Sequence, residues 1–284
     1  DTTTMPGIFI NSIDGQPLFL GWQFDPVLLG SLITASVLYA LAVGPLRKRL
    51  APNEPFNKTR AFLFFLGIFI IYGAEGTPLH ALSERYSFSA HMVQHLILNY
   101  MAAPLLIWGC PTWLLRVMLL NRFMKPISKT LSNAVLASLV FNIGISLWHI
   151  PGIYDAGLQN SSVHHFQHII FLTLSVISWW PVMSRLEELP RLGYGLQILY
   201  LFITSTVLQI PLFGILTFSN SAFYQTYIDA PRVFFSNPAD DQAMAGVIMK
   251  VLGMIVYIIP LTVIFFKWYN ESQSGNKPPV KQAA

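Results

Sequence analysis

Ser89-Ala90-His91-Met92-Val93-Gln94-His95-Leu96 opens an apolar run that continues to Gly109, and the class of the chain is decided here. A run of this length matches the roughly 20 residues a helix needs to cross a hydrocarbon core. On a helix, His91 and His95 stand one above the other on a single face, with His95 ~6 Å deeper at 1.5 Å rise per residue. An HxxxH pair alone is a weak signal. Its weight depends on where the other five histidines fall: His80, His149, His164, His165 and His168.

Further runs of the same kind fill the chain. Its 284 residues are 54% hydrophobic and only 11% charged, against about 25% charged in a soluble domain. The fold class is therefore all-α: a polytopic membrane protein, expected as a bundle of seven transmembrane helices. The spans read as 27–44, 61–82, 89–109, 134–150, 164–183, 196–218 and 244–267. Gly73, Glu75, Gly76 and Pro78 interrupt the second, and Pro104 marks a kink in the third. An extracytoplasmic leader, 1–26, precedes this membrane domain (27–268), with Trp22 and Phe24 at headgroup level. It opens on Asp1 with no recognisable signal peptide, a start consistent with residues removed ahead of it. A disordered cytoplasmic tail, 269–284, is expected to follow. The single cysteine, Cys110, excludes an internal disulfide and any CxxC site. The net charge of +4 is divided among loops, so no nucleic-acid partner is implied.

Lysine and arginine orient the chain. Arg47, Lys48, Arg49, Lys58, Arg60, Arg116, Arg122, Lys125, Lys129, Arg185, Arg191, Lys267, Lys277 and Lys281 fall on one side, and only Arg85 and Arg232 on the other. That bias places the N-terminus outside and the C-terminus in the cytoplasm. In this topology all seven histidines, with Asp240 and Asp241, fall in one outer layer.

Neutral imidazole is a ligand for copper, zinc and haem iron, and ionisable residues within a membrane usually face a bundle interior or cavity. The expected metal ligands are His91, His95, His149, His164, His165 and His168. Spans three and five form facing walls of an outward-opening pocket. His80 reads as a structural histidine at the interface. Met92 and Met244 read first as packing residues, with a thioether role toward Cu(I) as the sharper alternative. Asp240 and Asp241 read as solvated caps of span seven, or as groups that orient an imidazole through its other nitrogen. Glu75 either faces a cavity or pairs with Arg85. A lysine in the seventh helix, Lys250, suggests the Schiff base of retinal proteins, but span three supplies no carboxylate counter-ion. Lys250 is therefore expected to snorkel or to form an ion pair.

Several motifs in order resemble the multi-pass CtaG-type (caa3-type) cytochrome c oxidase assembly factors. They are Trp22-x-Phe24-Asp25-Pro26, His91-Met92-Val93-Gln94-His95 with Ala103-Pro104-Leu105, Trp148-His149-Ile150-Pro151 with Tyr154, His165-x-x-His168 with Trp179-Trp180-Pro181, and Asp240 or Asp241 before Gln242 with Ala245-Gly246. Lys250 departs from the family pattern, which often carries an aromatic there. The resemblance implies a non-enzymatic assembly factor in the bacterial plasma membrane. It would bind copper, as Cu(I), and deliver it to the catalytic subunit of a haem-copper oxidase, with an extracytoplasmic copper donor as a further partner and lipid around it. Two other readings stay open: a haem-binding electron-transfer or structural subunit, and an intramembrane zinc hydrolase using Asp240 or Asp241. Against the hydrolase, Met92 stands where the H-E-x-x-H motif places its glutamate.

Overall fold

The computed structural model describes residues 6–275. Its elements run β1 (Gly7–Asn11), β2 (Pro17–Gly21), α1 (Pro26–Leu50), α2 (Lys58–Glu75), α3 (Pro78–Arg85), α4 (Phe88–Gly109), α5 (Thr112–Leu119), α6 (Met124–Leu131), α7 (Ala134–Trp148), α8 (Pro151–Gln159), α9 (Ser161–Met183), α10 (Tyr194–Phe218), α11 (Gln225–Asp229) and α12 (Pro238–Gly275). The apolar runs become helices because in hydrocarbon a segment must satisfy its own backbone groups. Four helices, α1, α9, α10 and α12, are each long and apolar enough to cross a membrane. Seven segments qualify if each bent pair counts as one: α2 with α3 at 48°, α4 with α5 at 99°, and α6 with α7 at 88°. This is a helical membrane protein.

The breaks have local causes. Thr77 caps α3 by accepting the Leu79 N–H at 3.3 Å, and Pro78 follows at a position where no N–H is needed. The expected interruption of the second span is this bend, and it turns α3 away from the line of α2. Proline also explains the π-turn of α4. Pro104 cannot donate to the carbonyl four residues before it, and α4 meets it with a π-turn over Leu98–Ala102. Further π-turns lie at Ala42–Leu46 in α1 and at Ile203–Val207, where one interrupts α10. There Lys250 donates to the carbonyl of Thr206 at 2.8 Å and faces that of Ser205 at 3.5 Å. Its ammonium thus satisfies backbone carbonyls of the π-turn, rather than an acid or the interface.

Both ends of the described chain carry regular structure. The leader is a β-hairpin: β1 and β2 pair antiparallel from Gly7 opposite Gly21 to Asn11 opposite Pro17. Gly15 takes φ +78° at the turn, a conformation open to glycine. Leu18 and Leu20 are buried, and β2 packs on α3. At the other end α12 runs helical to Gly275, so the expected tail begins as helix; residues 276–284 lie outside the described residues.

A central cluster packs α4, α9, α10 and α12 through Leu96, Tyr100, Trp179, Leu201 and Tyr257. Small residues let α2 approach α4 closely. A Cβ on Gly109 would stand 2.5 Å from the backbone nitrogen of Phe64, the small-residue logic of membrane helix contacts.

The amino end of α4 is buried, and Asp241 of α12 serves it. One carboxylate oxygen accepts the Phe88 N–H at 2.7 Å; the other accepts the Ser89 N–H at 3.3 Å and the Ser89 hydroxyl at 2.5 Å. Ser87 adds its own cap, accepting the Ala90 N–H at 3.2 Å. Asp240 is exposed, and Asn237 caps α12 through the Ala239 N–H. Neither aspartate therefore caps span seven; Asp241 is spent on span three instead. Asp241→Ala is expected to cost about 2 kcal/mol, because buried donors lose a charged acceptor, and Asp241→Asn less. Denaturation in detergent, followed by circular dichroism, reads both.

Candidate metal centre

The seven histidines form one connected layer, but in two chambers rather than one pocket. The inner chamber holds His91 and His95 of α4 and His149 at the end of α7. His91 and His95 approach Nε2 to Nε2 at 2.6 Å, and the His95 ring centroid lies 6.1 Å from that of His149. His149 Nδ1 donates to the Ile145 carbonyl at 2.8 Å, which places its lone pair on Nε2. Both His149 Nε2 and His95 Nδ1 are buried without a hydrogen-bond partner among the described residues. A cavity of about 30 Å³ adjoins them, lined among others by Met92, His95, Asn99, His149 and Met249. About 15 Å³ suffices for one water, so one small ion fits.

The outer chamber is a cavity of about 410 Å³ lined by Asp25, Glu75, His80, Glu84, His164, His165 and His168, with Arg85 at its wall. His168 Nδ1 donates to Glu75 at 2.7 Å and leaves Nε2 buried without a partner. Glu75 pairs with this imidazole, not with Arg85. The carboxylate–imidazole arrangement fixes ring and tautomer as at metal-binding histidines. The His164 and His168 rings lie 4.3 Å apart, as their i,i+4 spacing requires, and His80 stands 5.4 Å from His164. His165 turns to the mouth, where its Nε2 lies 3.2 Å from Asp25.

The wall between the chambers is Glu84. One oxygen lies 3.4 Å from His91 Nδ1, the other 3.5 Å from His164 Nδ1, and its side chain is 11% exposed. The 48° bend carries Glu84 of α3 between the outer ends of α4 and α9; deeper in the bundle the two helices pack directly, with the Trp179 indole donating to the Asn99 carbonyl at 2.9 Å. His80, read as structural, is part of the chamber: its Nδ1 accepts from Gln94 at 3.0 Å. Among the described residues, neither Asp241 nor Asp240 has an imidazole as a hydrogen-bond partner. Met92 is buried beside His95, whereas Met244 is 38% exposed. Glu84 and Met249 escaped the reading of the sequence, although both had a signal. Glu84 follows His80 by four, a third i,i+4 pair beside His91/His95 and His164/His168. Met249 follows Asp241 and Ala245 along one face of α12. A larger cavity of about 450 Å³, reached by Cys110 and Trp180, has nearly all apolar walls and no donor set.

Helices of this length enclosing a buried imidazole–carboxylate centre define a polytopic membrane protein built around a candidate metal site. The chain belongs to the cytochrome c oxidase caa3 assembly factor family, whose sequence model matches residues 37–271 and so takes in every histidine. It is similar to two uncharacterised mycobacterial proteins, Mb0105 of Mycobacterium bovis and MT0111 of Mycobacterium tuberculosis. Each is 21% identical over 267 residues, covering 89% of this chain. The chain spans 40% of the length of these curated relatives. No solved structure matches it significantly.

At the mouth, burial raises the Asp25 carboxyl, but the Leu28 N–H it accepts at 2.8 Å and the neighbouring His165 outweigh this, so it titrates below its ordinary 3.8. A carboxyl lowered by folding adds stability that is complete above pH 3.8 and lost as pH falls through the lowered midpoint. Carboxyl 13C resonances should give Asp25 a midpoint under 3.8, moving upward in His165→Ala. A wild-type midpoint at or above 3.8 contradicts the pairing.

Proposed function

We propose that this chain holds copper, as Cu(I), in the inner chamber and passes it to the catalytic subunit of a haem-copper oxidase docked alongside. The family membership supports the assembly role. The observation that carries the copper reading is the chamber's donor set: two imidazole nitrogens without partners, with Met92 and Met249 among the residues that line a space for one ion. Thioether and imidazole together suit Cu(I), and no hard oxygen anion lines that space. The tautomers assigned from the contacts agree. His95 Nε2–H donates to His91 Nε2, so His95 Nδ1 keeps its lone pair and His91 Nδ1–H turns to Glu84. All three imidazoles are neutral in this arrangement, as ligation requires.

The positive-inside bias supports a centre on the extracytoplasmic side, where an external copper donor can reach it. Release proceeds by ligand exchange: incoming donors of the oxidase form bonds to the ion as bonds to His95, His149 and the methionines break. No substrate is chemically transformed.

Metal analysis of purified protein loaded with Cu(I) under reducing conditions tests this. Wild type should retain about one copper per chain, the capacity argued from the chamber's size. His95→Ala/His149→Ala should retain none. Met249→Leu should bind about tenfold more weakly, the low end of losses seen around metal sites. Unchanged copper in the double variant removes the proposal, and a Soret band in the protein as purified favours haem instead.

A further inference from the structure

Glu84 stands at an unusual distance from its neighbours. A carboxylate hydrogen-bonded to an imidazole sits at about 2.7–2.9 Å, yet Glu84 keeps 3.4 Å from His91 Nδ1 and 3.5 Å from His164 Nδ1. Glu84 Oε1 and His164 Nδ1 are buried without a hydrogen-bond partner. Two donors bound at about 2.0–2.1 Å to one tetrahedral ion lie roughly 3.3 Å apart, close to the observed spacing. One donor atom from each of His80, Glu84 and His164 lies within 4.8 Å of the others. The chamber they face also carries Asp25 and Glu75 against Arg85 alone. Its charge favours a cation.

We propose that His80, Glu84 and His164 form a second metal site, distinct from the inner chamber, that takes a divalent transition-metal ion of the zinc, cobalt or copper(II) class. Two imidazoles and a carboxylate suit such an ion, whereas the inner chamber offers imidazole and thioether. Three protein ligands facing a cavity leave the fourth position open to water or an incoming ligand, as at exchangeable sites.

Gln94 is the positioning residue. Its Nε2 donates to His80 Nδ1 at 3.0 Å and to the Ala74 carbonyl at 3.2 Å, while its Oε1 accepts from Ser83 at 2.6 Å. In this tautomer the His80 proton is on Nε2. Ligation through Nε2 moves that proton to Nδ1, and the carboxamide turns to accept it, giving up its hydrogen bond to the Ala74 carbonyl. Ser83 permits the turn, because its hydroxyl can donate to the His80 carbonyl at 2.9 Å and accept from the turned amide.

The site does not depend on the copper reading, and Co2+ as the probe separates the two. Wild-type protein in nanodiscs, titrated with Co2+, should develop a d–d absorption band with one ion per chain. Glu84→Gln and His164→Ala should weaken Co2+ binding at least tenfold, with helix content by circular dichroism unchanged. Glu84→Asp, which keeps the carboxylate on a shorter arm, should recover part of the band. His149→Ala should keep the band while losing Cu(I). A wild-type band in Glu84→Gln overturns the proposal, as does loss of one and the same signal in Glu84→Gln and His149→Ala. If wild type takes up no Cu(I) but its Co2+ band still depends on Glu84, the copper reading falls and the second site stands.

Discussion

A helix that begins inside a protein carries N–H groups that water cannot reach. The amino end of α4 is in that position, and the Asp241 carboxylate is its remedy. By accepting from Phe88 and Ser89 it holds α4 against α12 at one register. That register sets His91 and His95 on one side of the inner chamber and Met249 on another. The aromatic cluster around Phe88, Tyr154, Tyr224 and Tyr227 closes the space about this junction, and a Tyr154–Tyr227 hydroxyl contact of 2.8 Å links it to α3 through the Ser83 carbonyl.

Around this anchor the protein tolerates an uncommon concentration of unmet polar groups. His91, His95, His149, His164 and His168 each bury a nitrogen without a hydrogen-bond partner, and Glu84 buries an oxygen likewise. Folded proteins pair nearly all such atoms, since an orphan costs about 1–3 kcal/mol. A cluster of six in one layer is difficult to reconcile with stability alone: His91 Nδ1 and Glu84 Oε1 face each other at 3.4 Å, and the other four are imidazole nitrogens natural for groups kept free to bind. The fixed partners reinforce this. His149 is oriented by a backbone carbonyl and His168 by Glu75, so that in each ring the free nitrogen is the one without the proton.

The bends matter as much as the ligands. Had α2 and α3 been one straight helix, His80 and Glu84 would lie along the line of α2, and no carboxylate would stand between the outer ends of α4 and α9. The break at Gly76–Thr77 instead folds α3 inward, and Glu84 divides the histidines into an inner group beside methionines and an outer group beside carboxylates. Donor softness therefore differs across a single side chain.

Much of this was legible in the residues. Run length and the scarcity of charge determine a helical membrane protein, because hydrocarbon allows few alternatives. The i,i+4 spacings determine that His91 and His95, and His164 and His168, share helix faces. Asp14-Gly15 between two short apolar runs signals the hairpin that the leader forms. Other features were beyond local reading. Only the packing of distant segments shows that Asp241 serves α4 rather than α12, that Glu75 pairs with His168 and not Arg85, and that Lys250 answers carbonyls of a π-turn. Each is a contact between residues far apart in the chain, and spacing along one helix carries no information about which neighbour its face will meet. The sequence determined which side chains lie in the layer; the tertiary structure decided which share a chamber, because the angle of a bend, and not the composition of a span, places Glu84 between them.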